Sequence, residues 1–290
     1  MTYQTEVRRR RLPATPSMIP NIITLMGLGC GLMAIREAIA GHFVLVLIFV
    51  VAQSVLDFSD GRMARLLNST SPMGAQLDSL CDAIGFGVAP AIVTYSLISS
   101  QDHQRFAALA WFAAVVYVSC IVLRLARFNV AHDDEDIPEY EHGYFTGVPA
   151  PAASWLALAP LVARMAFGHG WWSSPLFCAI WLIAVGCLAF SRIRTFSFKT
   201  VHLTSEQVPW LLLAGVILIA GAFTVPLITV LVLDVAYLCL IPAAVVTHRR
   251  LRQGRPKRPA RRRSTGRRLR GVRRRLERRS DLPAPYEWGA

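Results

Sequence analysis

The sequence predicts an all-α, polytopic integral membrane bundle of about eight transmembrane helices. Three observations carry this. The 290 residues are 54% hydrophobic, above the roughly 45–50% of soluble domains, and mean hydropathy is +0.42. Apolar runs of about 20 residues recur, each long enough at 1.5 Å per residue to cross a ~30 Å hydrocarbon core. The period-2 alternation of a membrane β-barrel is missing.

The expected spans are 18–40, 43–67, 75–99, 106–127, 146–167, 175–191, 208–222 and 225–247. Arg8 to Arg11 before the first span resemble the start of a signal peptide. The apolar stretch that follows is too long for a signal h-region and is read as an uncleaved first helix. The last two spans are short and meet around Gly221 to Pro226. No fixed-period repeat stands out.

Charge sorts the loops. With the N-terminus in the cytoplasm, the outer loops hold only Arg36, Arg105 and Arg164 of 31 basic residues. The other basic residues, including Arg62, Arg65, Arg124, Arg127, Arg192, Arg194 and Lys199, fall inside, as the positive-inside rule requires. Both termini are then cytoplasmic. Residues 249–279 contain 17 of those 31 and one acid, Glu277. That segment contributes +16 to a total of +13, so the rest of the chain is net acidic. The expected organisation is a basic N-terminal segment (1–17), a transmembrane catalytic domain (18–247) and a basic, disordered tail (248–290). Next to a last span, such a tail favours anionic membrane lipids, at about 1 kcal/mol per charge, and no nucleic-acid partner is expected.

The six cysteines all lie in apolar segments without CxxC spacing, and no HExxH appears. A disulfide framework and a zinc site are therefore not indicated.

The informative stretch is DFSDGRMARLLNSTSPMGAQLDSLCD, residues 57–82. Asp57, Asp60, Gly61, Ala64 and Arg65 stand at offsets 0, 3, 4, 7 and 8, one helix face. Gly74, Asp78, Asp82 and Gly85 stand at 0, 4, 8 and 11, again one face. Asn68 to Pro72 read as a turn, so two antiparallel helices bring the faces together. Each Asp in mid-bilayer costs about 2.5–3.5 kcal/mol on insertion scales, and four cost on the order of 10 kcal/mol if unpaired. Two hard cations such as Mg2+ or Mn2+ would neutralise the set and bridge a diphosphate. Gly61 and Gly74 allow a ligand to press on the backbone, and Arg65 offers a fork to phosphate. The competing readings are an ion or proton path, or carboxylates paired with Arg62 and Arg65.

The pattern Asp-x2-Asp-Gly-x2-Ala-Arg-x8-Gly-x3-Asp-x3-Asp resembles the signature of the CDP-alcohol phosphatidyltransferases, matched at Asp57, Asp60, Gly61, Ala64, Arg65, Gly74, Asp78 and Asp82. The resemblance implies transfer of a phosphatidyl group from a CDP-lipid to an alcohol, with release of CMP. It implies a di-metal site on the four aspartates, Asp82 as the base on the acceptor hydroxyl, and a homodimer. Direct in-line attack is the expected mechanism.

Three further segments resemble the serine-specific branch of that family. They are Pro20 to Thr24, Arg124 to Asn129 with Tyr144 to Ala153 beyond it, and Ser191 to Lys199, where Arg194 replaces an expected Pro. The expected substrates are CDP-diacylglycerol and L-serine, giving phosphatidylserine. Siblings using glycerol phosphate, inositol or choline are the alternative. Serine brings a carboxylate toward four aspartates, so a cation is needed, and Arg124, Arg127, Arg192 and Lys199 are the candidates. The competing role for these four is anchoring at the membrane surface. Asn21 and Thr24 are candidates for hydrogen bonds to the nucleotide, or for a helix cap. Asp133 to Glu141 are read as a solvated acidic loop, Trp171 and Trp172 as an interfacial belt, and Asp234 as making a structural bond or packing contact.

Overall fold

The computed structural model describes residues 14–69, 71–99, 104–132, 144–191, 194–196 and 208–253. The chain divides into two units, Met1–His248 and Arg249–Ala290. Within the first, α1 (Ala14–Ile39), α2 (Phe43–Leu66), α3 (Pro72–Asp82) and α4 (Ala89–Ser99) are followed by α5 (Gln104–His132), α6 (Ala150–Phe167), α7 (Pro175–Phe190) and α8 (Val208–Thr224). The helix α9 (Pro226–Gln253) runs across the boundary between the units. A π-helical segment, Ala83–Val88, joins α3 to α4 without a break. Counted as one rod, α3 and α4 bring the spans among the described residues to the eight expected. Five are long and apolar enough to cross a membrane and three are shorter apolar helices.

The ends of the helices follow from local chemistry. The turn between α1 and α2 uses Gly41 at φ +81°, a conformation that costs a glycine little. Buried Glu37 anchors this corner, accepting from Arg36 at 3.1 Å and meeting His42 Nδ1 at 2.8 Å. After α2 the chain turns through Asn68 at φ +48°, a residue type that tolerates left-handed backbone. Ser71 then caps α3 by accepting from Gly74 N–H at 3.0 Å, with Pro72 in the first turn.

The core lies where the π segment, α5, α6 and α7 meet, around Phe86, Tyr117, Leu156 and Leu182. A π turn widens the backbone ring and leaves carbonyls short of partners. Here the buried Tyr117 hydroxyl donates to the Phe86 carbonyl at 2.9 Å. Outward faces of α1, α2 and α8 carry exposed large apolar side chains, and α8 buries none of its residues. Such surface suits lipid contact, where water is not the solvent.

One feature outside the all-α expectation is a short antiparallel ribbon, β1 (Tyr144–Thr146) with β2 (Arg194–Phe196). It joins two segments about 50 residues apart that sequence reading singled out separately. Gly147, at φ +82°, follows β1 so closely under the end of α7 that a Cβ would collide with the Ala189 carbonyl oxygen.

Candidate metal centre and active site

The hairpin of α2 and α3 places Asp57 and Asp60 opposite Asp78 and Asp82. One carboxylate oxygen from each of Asp57, Asp60 and Asp78 lies within 4.8 Å of the others. Asp82 is outside that tight group but lines the same cleft, close enough to Asp57 for the two carboxyls to interact. Like charges approach so closely only when a proton or a cation sits between them. An all-oxygen, anionic donor set in a part-buried cleft is the chemistry that hard divalent cations prefer, so the residues present fit Mg2+ or Mn2+.

The pairing of these carboxylates with arginine is not what the structure shows. Arg62 lies over the Phe58 ring, 4.0 Å from its centroid. Arg65 folds back along α2, its Nε donating to the Gly61 carbonyl at 3.0 Å. Among the described residues neither arginine forms an ion pair with the four aspartates.

The first helix closes one side of the cleft. Thr24 places its hydroxyl 2.6 Å from Asp60 Oδ2 and 3.0 Å from the Pro20 carbonyl. Its hydroxyl is thus committed to a carboxylate and to its own helix rather than to an N-terminal cap. Asp60 is 4% exposed, so this bond orients a carboxylate that water hardly reaches. Asn21 Oδ1 and Ser71 Oγ stand over Gly74, where an added Cβ would meet them at 3.1 and 3.2 Å. The candidates Asn21 and Gly74 are therefore side by side, Thr24 is at Asp60, and Gly61, Ala64 and Arg65 continue along α2 toward its end.

The candidate serine ligands separate. Arg124 on α5 is 8% exposed and its Nε has no hydrogen-bond partner among the described residues. It is close enough to Asp82 for the two charges to interact. Arg127, one turn on, spends its guanidinium on the end of α7, donating to the carbonyls of Phe190 at 3.0 Å and Ser191 at 3.3 Å. That is a helix C-terminal cap, favoured by the aligned carbonyl dipoles. Arg192, Lys199 and the acidic stretch Asp133 to Glu141 lie outside the described residues.

Several contributors are invisible in the signature. Asn129 and Ser79 hydrogen-bond side chain to side chain at 3.0–3.1 Å, tying α5 to the residue beside Asp78. Gln53 and Cys81 line the cleft with the aspartates. Gln53 sits four residues before Asp57, so extending the helical stripe by one turn would have found it. Asp234 is 8% exposed on α9. Its Oδ2 has no hydrogen-bond partner among the described residues, so of the structural bond or packing contact expected of it, no bond is made at that atom. Trp171 and Trp172 form a 3-10 turn in an edge-to-face cluster with Phe167 and Phe177.

Comparison with known proteins fits this geometry. The family model described as CDP-alcohol phosphatidyltransferase matches residues 17–191. A CDP-diacylglycerol–serine O-phosphatidyltransferase of Mycobacterium tuberculosis is 36% identical over 246 residues, covering 84% of each chain. The protein of the same name from Mycobacterium leprae is 35% identical over 241 residues, 83% of this chain and 79% of the relative. Its Helicobacter pylori namesake is 32% identical over 191 residues, 66% of this chain and 77% of the relative. Apolar spans of membrane-crossing length accompany this match, and the protein is an integral membrane protein. The chain belongs to the CDP-alcohol phosphatidyltransferase family.

Proposed function

We propose that this protein transfers the phosphatidyl group of CDP-diacylglycerol to the hydroxyl of L-serine, giving phosphatidylserine and CMP. The observation that carries the reading is the cluster of Asp57, Asp60 and Asp78 oxygens within 4.8 Å, facing Asp82 across one cleft. Relatives named for this reaction support the choice of lipid and acceptor.

Asp57, Asp60, Asp78 and Asp82 would hold two divalent cations, Mg2+ or Mn2+. When bound, the cations supply Lewis-acid stabilisation of the diphosphate and of the departing CMP. Asp82 takes the proton from the serine hydroxyl as its oxygen bonds to the phosphorus that carries diacylglycerol. The bond from that phosphorus to the bridging oxygen of CMP breaks in line, and CMP leaves with the electron pair. Thr24 keeps Asp60 aimed at the cation site. Gly61, Ala64, Arg65, Gly74 and Asn21 form the walls against which the nucleotide and diphosphate lie. Arg124 receives the serine carboxylate and keeps it from the aspartates, with Arg192 and Lys199 as further contacts.

The site and both termini face the cytoplasm, supported by the loop charges. Residues 18–247 form the catalytic domain between a basic N-terminal segment (1–17) and a basic tail (248–290) that rests on anionic lipid. The working form is a homodimer. The test is transfer of labelled serine by purified protein in CDP-diacylglycerol micelles, with Mg2+, with Mn2+ and with EDTA. Metal-dependent formation of phosphatidylserine is the expected result. CMP release with another alcohol, and none with serine, would overturn the acceptor.

A further inference from the structure

Gln53 is the polar residue of the cleft that this reaction leaves without a task. It lies on α2 four residues, about 6 Å along the axis, from Asp57 toward the middle of the helix. It is 3% exposed and shares the cleft lining with Thr24, Gly27, Leu28, Asp57 and Asp82. Two backbones press on its carboxamide. A Cβ at Gly31 of α1 would come within 2.9 Å of Oε1, and one at Gly85 of the π segment would overlap the amide. Yet Oε1 is buried with no hydrogen-bond partner among the described residues. A buried carbonyl oxygen without a partner is costly away from water, and leucine or methionine would fill the same notch. No bond from the described residues holds Oε1, which leaves the carboxamide able to turn its NH2 into the cleft.

The other lining groups indicate which ligand atom that NH2 fits. Four are aspartates, which only accept hydrogen bonds when ionised. The Thr24 hydroxyl is engaged, Gly27 and Leu28 bring no polar side-chain atom, and a cysteine thiol is a weak donor. Among the described lining side chains, Gln53 is the one that carries N–H donors. With cations on the four aspartates, the diphosphate of CDP-diacylglycerol would lie at those carboxylates, and the nucleotide along Gly61, Ala64 and Arg65 toward the end of α2. The ester carbonyls are acceptors only, and they follow the phosphate on its hydrocarbon side. That is the side of Asp57 on which Gln53 stands.

We propose that Gln53 recognises the phosphatidyl group, its carboxamide N–H donating to an ester carbonyl of the bound lipid. The proposal rests on CDP-diacylglycerol as the donor substrate. It predicts a preference for ester-linked over ether-linked lipid, because an ether lacks the carbonyl.

The experiment measures transfer to serine from CDP-diacylglycerol and from its dialkyl ether analogue, by wild type, Gln53→Leu and Gln53→Met. A neutral hydrogen bond corresponds to a preference of about three- to tenfold. Wild type should prefer the diester by that factor in kcat/KM. Both variants should lose the preference by falling on the diester alone, with wild-type turnover of the diether showing that they fold. The KM for serine should not move. Equal use of both lipids by wild type overturns the proposal. So does a proportional loss on both lipids in both variants, which would make Gln53 a packing residue against Gly31 and Gly85. A rise confined to the serine KM would place it on the acceptor side instead and also overturn it. Absence of transfer from either lipid by wild type would overturn the reaction itself, a separate result.

Discussion

Thr24 on α1 holds Asp60 on α2 through a 2.6 Å hydrogen bond, so one carboxylate of the cation site is oriented from a neighbouring helix. A hydrogen bond to a charged group is worth about 1.5–3 kcal/mol. Thr24→Val should therefore lower kcat/KM by about 10- to 100-fold and raise the Mg2+ concentration needed for half-maximal rate. Thr24→Ser should stay near wild type. Titrating activity against Mg2+ for the three proteins checks this.

Asp78 and Asp82 differ in position, and their variants should differ in kind. Asp78→Asn removes a member of the tight oxygen cluster and should weaken Mn2+ binding, read by the paramagnetic resonance of free Mn2+. Asp82→Asn should retain more of that binding yet lose transfer by about 10²- to 10⁴-fold, the usual contribution of a general base. Turnover retained by Asp82→Asn would remove the base from that residue.

Arg124 and Arg127 are one turn apart on α5 but should fail differently. Arg124→Lys should raise the KM for serine and leave the KM for lipid unchanged, because a lysine cannot reproduce a planar fork. Arg127→Lys should act mainly on stability, since its guanidinium bonds the last carbonyls of α7. A loss of about 1–2 kcal/mol is expected for two such bonds, visible as a lower Tm in detergent.

Gly147→Ala should destabilise the protein by at least about 1–3 kcal/mol, the cost of forcing a side chain into positive φ, with the Ala189 carbonyl in the way as well. Thermal unfolding in detergent measures it. An alanine variant as stable as wild type would show that the junction after β1 relaxes.

The spans could be read from the sequence because apolar length is a bulk property that packing does not alter. The two aspartate stripes were readable for a related reason: helical offsets fix which side chains share a face. What could not be read depends on contacts between distant segments. Nothing local marks Ala83 to Val88 as a π turn; the carbonyl it frees is met by Tyr117, 31 residues from Phe86. Arg127 looked like Arg124 because a positive-inside anchor, a ligand and a helix cap all call for arginine at a helix end. Gln53 escaped notice because one glutamine in an apolar run carries little weight until Gly31 and Gly85 are seen against it. The ribbon of β1 and β2 joins strands too short to show a period.

The π segment has a consequence for how this helix could have arisen. A π turn accommodates an additional residue in an otherwise α-helical rod. Upstream of it, Asp78 and Asp82 look into the cleft; downstream, Val93 and Leu97 sink into the packed interior. One surplus residue in Ala83 to Val88 thus acts as a phase shift of about 100° between a half-rod tuned for ions and a half-rod tuned for packing. Deleting one residue there would straighten the ladder and swing one half off its target. The two halves can tolerate substitution separately, but their angular offset is a single quantity that both depend on.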